Sequence, residues 1–147
     1  MPSPELEIQN LKVSFSTPKG KLTAVNGISF HINPGETLAL VGESGCGKTV
    51  SALSILRLLP EPPAEITSGK IIFSGQDLLS LSSKQFQDLR GNAISMIFQD
   101  PMTSLNPVLT VGEQIIETLL RHTTMNRQKA RKKSAELLSR VELPDPK

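Results

Sequence analysis

Gly42, Gly47, Lys48 and Thr49 stand in the order G-x-x-x-x-G-K-T, with Glu43, Ser44, Gly45 and Cys46 in the open positions. Each residue type has a chemical reason to be there. Glycines let the backbone wind until successive N–H groups point at a common anion, and a helix starting at once adds the positive end of its dipole. The lysine ammonium then reaches the outer phosphates, and the threonine hydroxyl is a hard oxygen ligand for Mg²⁺. The pattern predicts a turn shaped around a nucleoside triphosphate.

Other readings of these residues fit less well. A nucleophile elbow, G-x-S-x-G, would make Ser44 catalytic, but Cys46 occupies its last glycine and neither His31 nor His122 is evidently placed to serve it. Cys46 could be a reactive thiol near a helix N-terminus, where thiol pKa values fall; the plainer expectation is a small side chain filling an open loop position. A glycine-rich connection with an incidental lysine is the remaining alternative. A GTPase should add D-x-x-G after an apolar strand; "DLRG" at 88–91 has the letters but follows "SKQFQ", and no N-K-x-D is present.

The elements around this loop set its context. "LEIQNLKVSF" at 6–15 alternates apolar and polar residues, Lys19-Gly20 offers a turn, and "LTAV" and "ISFHI" continue the pattern, which predicts antiparallel strands with one wet face. "TLALV" at 37–41 reads as a continuously apolar strand covered on both faces, and "AISMIF" at 93–98 is another buried strand candidate. Ala52, Ile55, Leu56 and Leu59 recur at helical spacing after Thr49, ending before "PEPP" at 60–63. A strand at 70–73, a short helix capped by Ser82 or Ser83, and helices near 111–121 and 126–141 complete the reading. Strand, helix and strand in succession predict an α/β fold with a parallel core.

Totals restrict the class. One domain fits 147 residues, and a single cysteine allows no internal disulfide. The N-terminus does not read as a signal peptide, and the longest apolar run, Leu38 to Val41, is far below the roughly 20 residues that cross a bilayer. Residues 121–147 carry a formal charge of +5 and residues 1–120 carry −3. Without aromatic residues among the charges, the basic segment predicts a solvated helix with Ala130, Ser134, Leu137, Leu138 and Val141 on its apolar face, not a nucleic-acid surface. His31 and His122 read as a strand-surface and a helix-end residue; with Cys46 they make no convincing transition-metal site.

"VGESGCGKTVSALSILRLLP" followed by "ISMIFQDPMTSLNPVLTVGEQI" resembles the ATP-binding subunits of ABC transporters, and its second half is similar to the branch serving oligopeptide, dipeptide and nickel importers. The resemblance runs over nearly the whole chain. It implies an α/β fold: a P-loop NTPase core with a partial parallel sheet and helices, plus an N-terminal antiparallel β subdomain. Residues 1–35 would be mainly antiparallel β, 36–100 the phosphate-loop core as far as the Q-loop, and 101–147 the start of a helical subdomain.

The resemblance also assigns roles. ATP and Mg²⁺ are the implied ligands, with Gly42, Ser44, Gly45, Cys46, Gly47, Lys48, Thr49 and Val50 around the phosphates, and Phe15 stacking on adenine where the plainer reading is a core phenylalanine. Gln99 matches the Q-loop glutamine, implying a catalytic role beside the attacking water and, with Thr49, a place near Mg²⁺. Residues 100–112 would meet the transmembrane permease subunits. A second ATP-binding subunit, identical or related, would pair with this one; a periplasmic or extracellular substrate-binding protein would act indirectly, and the expected location is peripheral, on the cytoplasmic face of the cell membrane.

The sequence departs from the family's pattern in lacking an LSGGQ-like signature, a Walker B strand ending in acids, and a switch histidine. The expectation is an N-terminal part of a longer ATPase that binds nucleotide but hydrolyses it negligibly and tends to self-associate. Two other functions fit: a phosphate-loop enzyme of another class using Asp100 as its Walker B acid, and a non-enzymatic nucleotide-binding fragment.

Overall fold

Alternation along the N-terminal segment produces two long strands, β1 (Leu6–Thr17) and β2 (Gly20–Ile32), antiparallel across a turn at Pro18-Lys19, one residue before the Lys19-Gly20 turn expected. The computed structural model describes residues 3–99 and 105–142. β3 (Ala64–Phe73) pairs antiparallel with the other edge of β1, and β4 (Gln76–Asp77) turns back on β3, giving the order β2-β1-β3-β4. Register slips in β1 between Ile8 and Leu11 opposite β2 and between Gln9 and Lys12 opposite β3. Asn10 takes up the slip with φ 47° and donates its N–H to Ser29 Oγ at 2.8 Å. Ile8, Leu11 and Val13 are all fully buried on either side of this bulge.

The chain divides into two compact units, Met1–Gln87 and Asp88–Lys147; the first holds this sheet, one helix and most of another, whose last two residues fall in the second. α1 (Lys48–Ile55) follows the glycine-rich loop, and Leu56 and Leu59, just past its end, are buried while Ala52 and Ile55 are only partly so. A 3₁₀ turn, Leu78–Ser80, leads to α2 (Ser83–Leu89). Ser82 begins α2 as predicted: the Gln85 side-chain oxygen accepts from its N–H and hydroxyl at 3.0 and 2.7 Å. Buried Phe86 of α2 lies under the Arg57 guanidinium, 5.3 Å from the ring centre, and Arg57 also donates to Leu81 O.

The second unit contains α3 (Val111–His122) and α4 (Arg127–Arg140), where the sequence predicts them. α4 buries Ala130 and Ser134, and Ser134 Oγ lies 3.4 Å from Gly112 O of α3. Small residues at the crossing let the two helices approach closely. Val141 does not join that face; it is exposed. His31 lies exposed on β2 and His122 ends α3, both as read.

Two expectations fail. Residues 37–41 and 95–98 are irregular, and among the described residues the bridge near the latter is an isolated parallel contact of Arg90 with Ile94. Their apolar side chains face outward, Val41 89% and Ile97 97% exposed. A strand exists only when a neighbour takes up its N–H and C=O groups. No described residue does so for either run.

Candidate phosphate-binding loop

The loop from Gly42 to Thr49 is built against β2. Gly47 is the N-cap of α1 in the left-handed region, φ 95°, and a methyl group placed on it would lie 2.5 Å from Ala24 O and 3.3 Å from Val25 Cγ2. No side chain fits in that gap, which gives Gly47 a steric reason beyond its backbone angle. The first turn of α1 is tied down from behind by Ser51, whose N–H and hydroxyl both donate to Gly47 O at 2.9 Å. Neither Ser51 nor the Ala24–Val25 contact announces itself in the sequence. A serine on the buried side of an amphipathic pattern reads as surface, and contact between distant segments leaves no local signal.

Lys48 folds back over the loop. Its ammonium donates to Gly42 O and Glu43 O, both at 2.7 Å, and stands 3.4 Å from Cys46 Sγ. Gly42 is close enough to Cys46 that a methyl there would meet the sulfur at 2.7 Å. Cys46 is exposed, as are Ser44 and Gly45.

Gly47 offers no side-chain cap, and the backbone N–H groups of Lys48, Thr49 and Val50 donate to no described residue. Three unsatisfied donors, a helix dipole and an adjacent ammonium suit an anion of several negative charges. Thr49 is exposed, and its hydroxyl bonds to no described residue. Mg²⁺ held on phosphate oxygens takes one or two such protein oxygens. The residues therefore fit a magnesium nucleotide.

Phe15 is the last residue of β1 paired with β3, half-buried, with Leu22 of β2 and Ala64 of β3 as its neighbours across the strands. Its strand lies next to the one that seats the loop, since Val13 pairs with Val25. Gln99 belongs to the second unit and is exposed at the end of the irregular run 95–99. Asp100, on which the alternative Walker B reading rests, lies outside the described residues, as do 101–104 of the predicted permease-facing stretch.

The rest of that stretch is ordered by α3. Thr110 and Glu113 form a reciprocal cap: Glu113 N–H donates to Thr110 Oγ1 at 3.2 Å, and the Thr110 hydroxyl and N–H donate to the Glu113 carboxylate at 2.9 and 3.2 Å. These bonds, the hydroxyl's first, with a smaller contribution from Arg127, hold the Glu113 carboxyl below its ordinary value. Gln114 clamps the loop, accepting from Asn106 N–H at 3.0 Å and donating to Asn106 O and Leu109 O at 3.0 and 3.2 Å. The clamped loop exposes Leu105, Val108 and Leu109. Sequence reasoning did not find Gln114, because a glutamine on a helix surface carries no mark of what it reaches.

Comparison with solved structures defines the fold. The fold matches the dimeric ATP-binding cassette MJ0796, with TM-score 0.77 and 22% identity over 95% of this chain and 58% of that one. A post-hydrolysis dimer of the same cassette, bound to ADP and Pi, matches with TM-score 0.74, 21% identity and the same coverage. The family model for ABC transporters matches residues 25–147, and the chain belongs to that family. It is 55% identical over 141 residues to the dipeptide transport ATP-binding protein DppD of Bacillus subtilis (strain 168), covering 96% of this chain and 42% of the relative. The oligopeptide transport ATP-binding protein OppD of the same strain is 49% identical, with 96% and 39% covered. The chain thus spans about two-fifths of the length of these relatives. The α/β class read from the sequence stands, although the apolar runs expected to form parallel strands are irregular.

Proposed function

We propose that this chain supplies the nucleotide-binding part of the ATP-hydrolysing subunit of an importer for peptides or nickel. ATP with Mg²⁺ is the ligand, and its binding and hydrolysis drive uptake. The observation that carries the reading is the uncapped start of α1 behind a glycine loop, with three backbone donors open and the Lys48 ammonium resting on two carbonyls. Those carbonyls hold the lysine in place until phosphate oxygens exchange for them. Relatives named for dipeptide and oligopeptide transport support the substrate class.

The chain's own residues divide the work. Gly42, Ser44, Gly45, Cys46 and Gly47 shape the turn, Lys48 neutralises the terminal phosphates, Val50 contributes a backbone N–H, and Thr49 supplies an oxygen to the metal. Mg²⁺ held there would offset the charge that develops on the transferred phosphoryl group. Phe15 gives the adenine ring a face to stack on, and Gln99 orients the attacking water near Mg²⁺. In domain terms, residues 1–35 are mainly antiparallel β, 36–100 the phosphate-loop core as far as the Q-loop, and 101–147 the start of a helical subdomain, with β3 and β4 extending the antiparallel sheet into the second range.

Residues 100–112 dock on the transmembrane permease subunits at the cytoplasmic face of the membrane. A second ATP-binding subunit completes the working pair, and the extracytoplasmic binding protein acts through the permeases. Within these 147 residues there is a phosphate cradle but no LSGGQ-like stretch, so the polypeptide by itself binds nucleotide and turns it over negligibly.

Calorimetry with Mg-ATP tests the reading. Lys48→Ala should lower affinity about 10- to 100-fold, the worth of one or two charge-assisted hydrogen bonds. Equal binding by the wild type and this variant would overturn the phosphate assignment. Turnover by the 147 residues at the rate of a complete transporter ATPase would overturn the claim of inactivity. Co-purification of the protein with its permeases, followed by uptake of labelled dipeptide or nickel, tests partners and substrate.

A further inference from the structure

We propose that Val25 of β2 is a positioning residue for the phosphate loop, acting through Gly47 and not through contact with the nucleotide. The inference rests on the nucleotide reading above and adds what holds the loop in its binding shape. The loop enters α1 through Gly47, and the space a side chain would need there is filled from one side, by Ala24 O and Val25 Cγ2. The carbonyl belongs to the backbone and is present whatever residue stands at 24. The Val25 methyl is the part of this seat that the sequence can vary.

Val25 is well placed to hold a fixed position. It is 4% exposed and pairs with Val13, itself fully buried, which in turn faces Ile66 of β3. Three β-branched residues thus form one row across the sheet. A β-branched side chain has few rotamers, so its methyl transmits the sheet's position to the loop with little play. Ser51 of α1 also grips Gly47 O with two hydrogen bonds. Gly47 is held between strand and helix, and the open N–H groups of Lys48, Thr49 and Val50 follow directly from it in sequence. A catalytic or binding constellation loses function when its supporting groups leave it about 1 Å loose.

The test compares ATP with AMP, which lacks the outer phosphates, by competition against a fluorescent adenine nucleotide. Val25→Ala should weaken Mg-ATP about tenfold while AMP changes less than about twofold, since misplacement is felt where the loop meets the β- and γ-phosphates. Val25→Thr keeps the branched shape and should keep the ATP-to-AMP ratio, even where the buried hydroxyl lowers the melting temperature. Val13→Ala, in the same buried row but without the loop contact, should lower the melting temperature and leave the ratio unchanged. Equal loss of both nucleotides in Val25→Ala, an unchanged ratio in that variant, or a changed ratio in Val13→Ala would overturn the proposal. Failure of the wild type to bind ATP, or indifference to Lys48→Ala, would instead sink the nucleotide reading itself.

Discussion

Gly47 and Cys46 sit side by side in the loop and answer to different constraints. Gly47 combines a positive φ with a carbonyl 2.5 Å from where a methyl would stand, so Gly47→Ala must move either β2 or the start of α1. The left-handed conformation alone costs a non-glycine residue about 1–2 kcal/mol. We expect that variant to melt lower and to bind Mg-ATP more weakly, as read by calorimetry and a thermal scan; a methyl tolerated at no cost would show that the loop is not seated on β2. Cys46 is exposed and stands beside the lysine and the first glycine. Complete alkylation with a bulky maleimide should therefore block nucleotide binding, and Cys46→Ala should bind normally and resist the reagent. Unchanged binding after full modification, verified by mass spectrometry, would remove the sulfur from the phosphate path.

Among the elements, α3 shows how a helix start orders the loop before it. Thr110→Ala removes one half of the reciprocal cap and should lower stability by about 1 kcal/mol in chemical denaturation. The Glu113 carboxyl is depressed because the Thr110 hydroxyl and N–H, with help from Arg127, favour its charged form. A depressed folded pKa means that the cap's contribution is fully present above the unfolded carboxylate value and is lost as pH falls through the lower, folded one. The protection factor of the Thr110 amide, taken relative to the intrinsic exchange rate at each pH, should fall on acidification through that window in the wild type, and Glu113→Gln should lack this step; a flat protection profile in the wild type would contradict the cap. Gln114→Ala should release residues 106–109 and weaken association with permease subunits in a pull-down while leaving ATP affinity alone. Unaltered association would show that the clamp is not needed for docking.

At the scale of the whole molecule, the conspicuous feature is apolar surface where strands are expected. Leu38, Leu40, Val41, Ile97 and Phe98 all face outward. Runs of that composition with backbone groups free to pair favour association between copies. The 147-residue polypeptide should self-associate in light scattering at concentrations on the order of tens of micromolar, and charged replacements at Val41 and Ile97 should reduce it. A monodisperse monomer would show that these surfaces are too small or too irregular to pair.

The local chemistry of this protein is legible in its sequence. Alternation places β1 and β2, a serine cap starts α2, and glycine, lysine and threonine spacing marks the loop, because each depends on residues within a few positions of one another. Decisions between distant segments are not legible. An apolar run states that it needs cover without stating what provides it, so "TLALV" and "AISMIF" read as strands and are irregular here. The seat of Gly47 on Ala24 and Val25 and the reach of Gln114 to Asn106 belong to the same class. Each is fixed by steric fit or hydrogen bonding between backbone and side chains that only the folded chain brings within ångströms.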